Sequence, residues 1–229
     1  MGRFECFGQG LPAVDLAELK GRLVVIEGTD GVGRSTHIGL LKEWLEHAGH
    51  AVLDTGMTRS ALAGKGLKLA KEGHTLGGTT MSLFYATDFA DRLEHEMLPA
   101  LRAGFIVLTD RYTYSLMARA IVRGADPLWV ERVYEFALKP DITIYLRTTV
   151  DELVTRVVQT AGFNYWESGM DLRLGEDMFD CFIEYQGRLL AVFDTMADEH
   201  GFRIVDTSAS IQTVSGQLKA LIEPLLTPA

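Results

Sequence analysis

The chain's densest chemistry lies in nine consecutive residues, Gly28-Thr29-Asp30-Gly31-Val32-Gly33-Arg34-Ser35-Thr36. Three glycines let the backbone curl so that successive N–H groups face one centre, and a helix opening at the end of the run adds a partial positive charge there. Such a loop holds an anion, and its G-x-x-x-x-G-cation-Ser spacing suits the phosphate chain of a nucleotide, with the Ser35 hydroxyl offered to Mg²⁺. The pattern has Lys where this chain has Arg34, which keeps the charge and can bridge two phosphate oxygens with a wider head. A plain strand-turn-helix corner, or a loop that binds nucleotide without transferring it, are the other readings of these residues. Farther along, Asp110-Arg111 follows an apolar run. That puts a carboxylate and a guanidinium at a strand end, where open α/β sheets bind ligands, although a surface ion pair would look the same.

Short β-branched runs alternating with long helical patterns position these groups. The sequence predicts buried strands at 22–27, 51–53, 105–108, 142–146 and 202–205. Between them it predicts helices over 35–48, one within the Gly-rich stretch 56–78, one over about 81–101, one starting near Val150 and one over 176–200. On the last, Phe182, Tyr185, Leu189, Phe193 and Met196 recur at helical spacing and read as core. This alternation implies an α/β fold with a mostly parallel sheet covered on both faces. Residues 1–20 read as an N-terminal extension and 21–229 as one domain, a size that fits 229 residues.

Composition narrows the partners. There are 22 Lys and Arg against 31 Asp and Glu, a net charge of −9, which argues against gripping a nucleic-acid polymer and leaves small phosphate ligands open. The cations comprise 15 Arg and only 7 Lys, favouring the side chain suited to bidentate phosphate contacts. No apolar run approaches the ~20 residues of a bilayer-spanning helix, and Met1 to Glu5 does not lead into a signal sequence, so a soluble, cytoplasmic protein is expected. Cys6 and Cys181 are too few for a disulfide framework, and the six histidines lack metal-site spacing.

From about residue 21 to 220 the chain resembles the thymidylate kinase family of P-loop nucleoside monophosphate kinases. The resemblance rests on Glu27-Gly28-Thr29-Asp30-Gly31 running into Arg34-Ser35-Thr36, on Leu83-Phe84-Tyr85-Ala86-Thr87-Asp88, on Leu98-Pro99-Ala100-Leu101, on Thr109-Asp110-Arg111-Tyr112 and on Leu138-Lys139-Pro140-Asp141. It implies a five-stranded parallel sheet flanked by helices, a mobile lid over about 160–175, and a homodimer. The implied reaction is transfer of the ATP γ-phosphate to dTMP with Mg²⁺, giving dTDP.

Carried over residue by residue, the resemblance assigns Gly28, Gly31, Val32, Gly33, Arg34, Ser35, Thr36 and Arg156 to ATP, and Ser35 with Asp110 to Mg²⁺. Asp30 and Arg111 hold the acceptor, and Arg34 and Arg173 complete the catalytic set, Arg173 as the lid cation. Tyr85 takes the place of the aromatic that stacks on the base. Phe89 stands where the family has a base-reading arginine, Thr55 where it has a phosphate-binding one. Arg59, Arg92 and Arg119 are candidate replacement cations, Ser115 lies in an altered stretch, and Tyr165 with Trp166 either closes over the acceptor or packs the base of the lid. These departures leave open a kinase of the same fold with another acceptor, and Arg34 leaves open a binding module with degenerate catalysis.

Overall fold

The computed structural model describes residues 4–12, 14–73, 76–160 and 162–226. His74, and Ala161 at the start of the expected lid, lie outside the described residues, as do residues 1–3 of the expected extension. Five strands form one parallel sheet: β1 (Arg22–Glu27), β2 (Val52–Gly56), β3 (Ile106–Asp110), β4 (Ile142–Arg147) and β5 (Arg203–Asp206), in the order β2-β3-β1-β4-β5. Successive β1 side chains point to opposite faces. Leu23 and Val25 pack with Val107 and Tyr145 on one face, and Val24 and Ile26 pack with Leu108, Ile144 and Leu146 on the other. Because both faces are buried, the inner strands read in sequence as unbroken apolar runs.

On the second face lie α1 (Arg34–His47), α7 (Val150–Gln159) and α9 (Ile211–Leu226), anchored by Ile38, Leu41 and Leu45, by Leu153 and Val157, and by Val214, Leu218 and Ile222. The first face is covered by α3 (Gly78–Arg92), α4 (Leu98–Arg102), α5 (Thr113–Val122), α6 (Pro127–Val133) and α8 (Met178–His200), with α2 (Gly64–Gly73) packed beside α3. Strand order reverses at β1, which sits between β3 and β4, so the loops leaving β1 and β3 open into one crevice.

Three boundaries differ from the sequence reading. The second strand runs on to Gly56, because its polar end is satisfied: Thr55 Oγ1 donates to Glu96 Oε2 at 2.9 Å. The single long helix expected over 81–101 is interrupted by a π turn at Leu93–Met97, where the Leu98 N–H reaches the Leu93 carbonyl. Pro99, with no N–H and a ring that crowds the turn before it, accounts for the break in the α-helical ladder. The segment ahead of β1, expected as an extension, packs onto the domain in its described part. Phe4 is buried, Cys6 bridges to Leu138, and the Phe7 ring meets Tyr114 edge-on at 5.9 Å.

Candidate active site

The loop after β1 folds as its glycines require. Gly28 has φ +150°, and a Cβ there would stand 2.8 Å from the Leu146 carbonyl oxygen; Gly31 has φ +78°, with Val157 Cγ2 2.9 Å from the same position. Side chains at either place would meet both a strained backbone and a neighbour. α1 then opens at Arg34, giving the loop the N-terminal end of a 14-residue helix. Val32 turns its side chain into the core, and its carbonyl accepts from Arg156 at 3.3 Å. Arg156 also grips Thr207 through its carbonyl (2.6 Å) and hydroxyl (3.1 Å), tying α7 and the loop after β5 to the phosphate loop.

Arg34 is almost fully buried and turned back onto its own loop. Its Nη1 donates to the carbonyls of Gly28 (2.7 Å) and Thr29, and its Nε to Asp110 Oδ1 at 2.7 Å. The other Asp110 oxygen faces the exposed Ser35 hydroxyl at 3.4 Å. Ser35 and Asp110 thus form a pair of hard oxygen donors at the mouth of the loop, the set that Mg²⁺ takes alongside water and phosphate oxygens. Among the described residues no cluster of three or more His, Cys, Asp or Glu could hold a metal by itself.

Asp30 is the hub of a second group of charges at the crevice. It is buried, with Arg111 on one carboxylate oxygen and Arg119 on the other. Burial by itself would raise its pKa, but Arg111, Arg119 and Arg34 outweigh that and hold the carboxyl below its ordinary range. Arg111 reaches Asp30 from a left-handed backbone, φ +72°, with its N–H on the Ile26 carbonyl at 3.0 Å. A strained, non-glycine backbone of this kind is typical of functional positions.

A cleft of 330 Å³ brings Asp30, Gly31, Arg34, Arg59, Asp110 and Arg111 together, with Lys71 and Glu167 on its wall. Beside it, Tyr85 and Arg119 line a slot of 30 Å³ closed by Trp166. That slot holds a water or two and no base. Tyr165 and Trp166 face a further cavity of 520 Å³ against α2, and the Trp166 indole N–H donates to the Lys71 carbonyl at 3.0 Å.

Four expected site residues are placed elsewhere. Phe89 is buried in an aromatic cluster with Tyr112, Tyr134 and Phe136, so it stacks within the core and does not reach a base. Arg92 is buried too, with Nε on Asp88 Oδ2 at 3.2 Å. That carboxylate accepts from the N–H groups of Thr58 (2.9 Å) and Ser60 (3.0 Å), so Arg92 braces the loop that carries Arg59. Ser115 donates its hydroxyl to buried Glu27, whose carboxylate also accepts from the N–H groups of Tyr112 (2.8 Å) and Ser115 (3.1 Å) and so caps α5. Burial raises the Glu27 pKa against these hydrogen bonds. Arg173 is exposed and lines none of the three cavities.

Two residues of this region escaped the sequence reading. Arg123 stands four residues after Arg119, on the same face of α5. It holds the segment expected as the lid through Asp171 (2.8 and 3.1 Å) and the Trp166 carbonyl at 3.4 Å, and it meets Tyr185 of α8, whose ring it covers. Its i+4 spacing from Arg119 was the available signal. Lys71 gave none, since nothing in the pattern of α2 separates it from Lys65 and Lys68.

A parallel α/β sheet with a glycine loop entering a helix at its switch point, and cations around the crevice, defines a P-loop phosphotransferase. Residues 26–217 match the family model described as Thymidylate kinase. A protein of Saccharolobus solfataricus named "Probable thymidylate kinase 2" is 36% identical across 89% of this chain and 96% of its own length. A "Probable thymidylate kinase" of Thermococcus kodakarensis is 32% identical across 89% of this chain and 98% of its own. The chain belongs to the thymidylate kinase family, whose members are ATP-dependent phosphotransferases.

Proposed function

We propose that the protein is a dTMP kinase, which transfers the γ-phosphoryl group of ATP directly to dTMP to give ADP and dTDP. The observation that carries this reading is the 330 Å³ cleft, where the phosphate loop, the Ser35–Asp110 oxygens and the Asp30–Arg111 hub meet. Phosphoryl transfer asks the protein for positioning and charge neutralisation more than for covalent chemistry, and this cleft supplies both. Backbone N–H groups from Gly31 to Thr36 and the α1 terminus hold the ATP phosphates, with Arg156 bracing the loop from behind. Ser35 and Asp110 would hold Mg²⁺, whose charge would offset that of the ATP phosphates. Arg111 and Arg119, kept in place by Asp30, face the acceptor phosphate, and Tyr85 offers its ring to the base.

Trp166 must leave the slot beside Tyr85 before a pyrimidine can enter, so lid motion belongs to the cycle. Closure then excludes water and limits wasteful ATP hydrolysis. A second reading, the same transfer to another monophosphate, is favoured by Phe89, which sits in the core and leaves no arginine at its position to read a thymine edge. Coupled ADP release with purified protein, ATP and Mg²⁺ across a panel of nucleoside monophosphates separates the two. The first reading requires dTMP to give the highest kcat/KM; preference for another monophosphate establishes the second, and no acceptor-stimulated turnover rejects both.

A further inference from the structure

In the transfer step proposed above, an ionised oxygen of the acceptor phosphate forms a bond to the γ-phosphorus. The bond from that phosphorus to the β–γ bridging oxygen breaks, and its electron pair stays on ADP; no proton needs to move. Negative charge is spread over three equatorial oxygens during the transfer, and cations facing them lower the barrier.

Four cations line the 330 Å³ cleft: Arg34, Arg59, Lys71 and Arg111. Three are committed to carboxylates within the protein, Arg34 to Asp110 at 2.7 Å, Arg59 to Asp54 at 2.9 Å and Arg111 to Asp30. Arg173, the cation expected from the lid, stays exposed and outside the cleft. Among the described residues Lys71 forms no ion pair, although the Glu167 carboxylate lines the same cleft, so its ammonium is the cleft cation not already held by a carboxylate. It is half-buried in the last turn of α2, where it lines the cleft, the slot beside Tyr85 and the 520 Å³ cavity at once. Its side chain therefore stands at the junction of the donor and acceptor spaces. Its main chain is fixed there from the lid side by the Trp166 indole.

We propose that Lys71 is a catalytic residue, whose ammonium contacts the transferring phosphoryl group. A compact charge on a flexible four-carbon stem suits that task, because it can follow the phosphoryl group from donor to acceptor. The inference rests on the monophosphate-kinase reading, and its test keeps the two apart.

The test compares Lys71→Met, Lys71→Arg and, as a control on the exposed face of the same helix, Lys65→Met in the full chain. The Trp166 contact uses the Lys71 carbonyl, so all three variants are expected to melt within a few degrees of wild type. With the best acceptor and saturating ATP and Mg²⁺, K71M should lose roughly 10²-fold in kcat, the usual effect of removing one group aimed at transition-state charge, with both KM values little changed. K71R should recover part of the loss and K65M none should be seen. A K71M kcat within threefold of wild type, or a change confined to KM, overturns the proposal. If wild type turns over no acceptor, the functional reading fails while Lys71 can still be judged. Affinity for ADP, Mg²⁺ and aluminium fluoride, a mimic of the planar phosphoryl group, should then be at least tenfold weaker in K71M, and equal affinity overturns the assignment.

Discussion

Asp30 shows how one side chain can order a site. With Arg111 and Arg119 on its two oxygens it is ionised and buried, and the two guanidinium groups are fixed by it in turn. Its pKa in the fold lies below the unfolded value of about 3.9, so its stabilising contribution is complete above that pH and is lost as pH falls through the folded value. Asp30→Asn should therefore destabilise the protein by roughly 3 kcal/mol at pH 7, leaving buried Arg111 and partly buried Arg119 without their anion, and the gap to wild type should narrow below about pH 4. Urea unfolding at pH 7 and pH 3 checks this; a gap that is constant with pH contradicts it. Asp30, Arg34 and Arg111 were legible in the sequence because their chemistry sits in short, contiguous motifs. Phe89, Arg92 and Ser115 were not, since helical spacing groups residues on a face without saying whether that face meets the cleft or the core. Here Phe89 and Arg92 meet the core.

At the scale of elements, α5 links the Asp30 hub to the segment that carries Trp166 and Asp171. Glu27 caps its first turn, Arg119 holds Asp30, and one turn later Arg123 holds Asp171 and the Trp166 carbonyl. Acceptor binding that displaces Trp166 from the 30 Å³ slot should change tryptophan emission on adding dTMP, and the change should disappear in Trp166→Phe while Trp44 and Trp129 remain. Emission unaffected by dTMP in wild type, or a signal that survives in W166F, argues against lid displacement. The strands and long helices were readable from apolar periodicity. The π turn was not, because its residues keep apolar spacing at Leu93, Met97 and Leu98 while the backbone hydrogen bonds shift by one residue. The end of β2 was also hidden, its polar residues being paired by Glu96 and Arg59, which are distant or irregular in sequence.

Across the whole molecule, a chain with net charge −9 carries a cation-lined cleft, and the arginine excess is partly accounted for there. No described helix is long and apolar enough to cross a membrane. Leu69 on α2 and Leu83 on neighbouring α3 are left exposed, 68% and 47%. The homodimer that the family resemblance implies predicts twice the 25.3 kDa chain mass in sedimentation, and a monomer at micromolar concentration contradicts that expectation. The central claim is that the cleft passes the γ-phosphoryl group of ATP to dTMP and not to water. Following the label from [γ-³²P]ATP with Mg²⁺, dTMP and the purified chain tests it most directly. The label should appear in dTDP, with little inorganic phosphate; label found only in inorganic phosphate, or left in ATP, would contradict it.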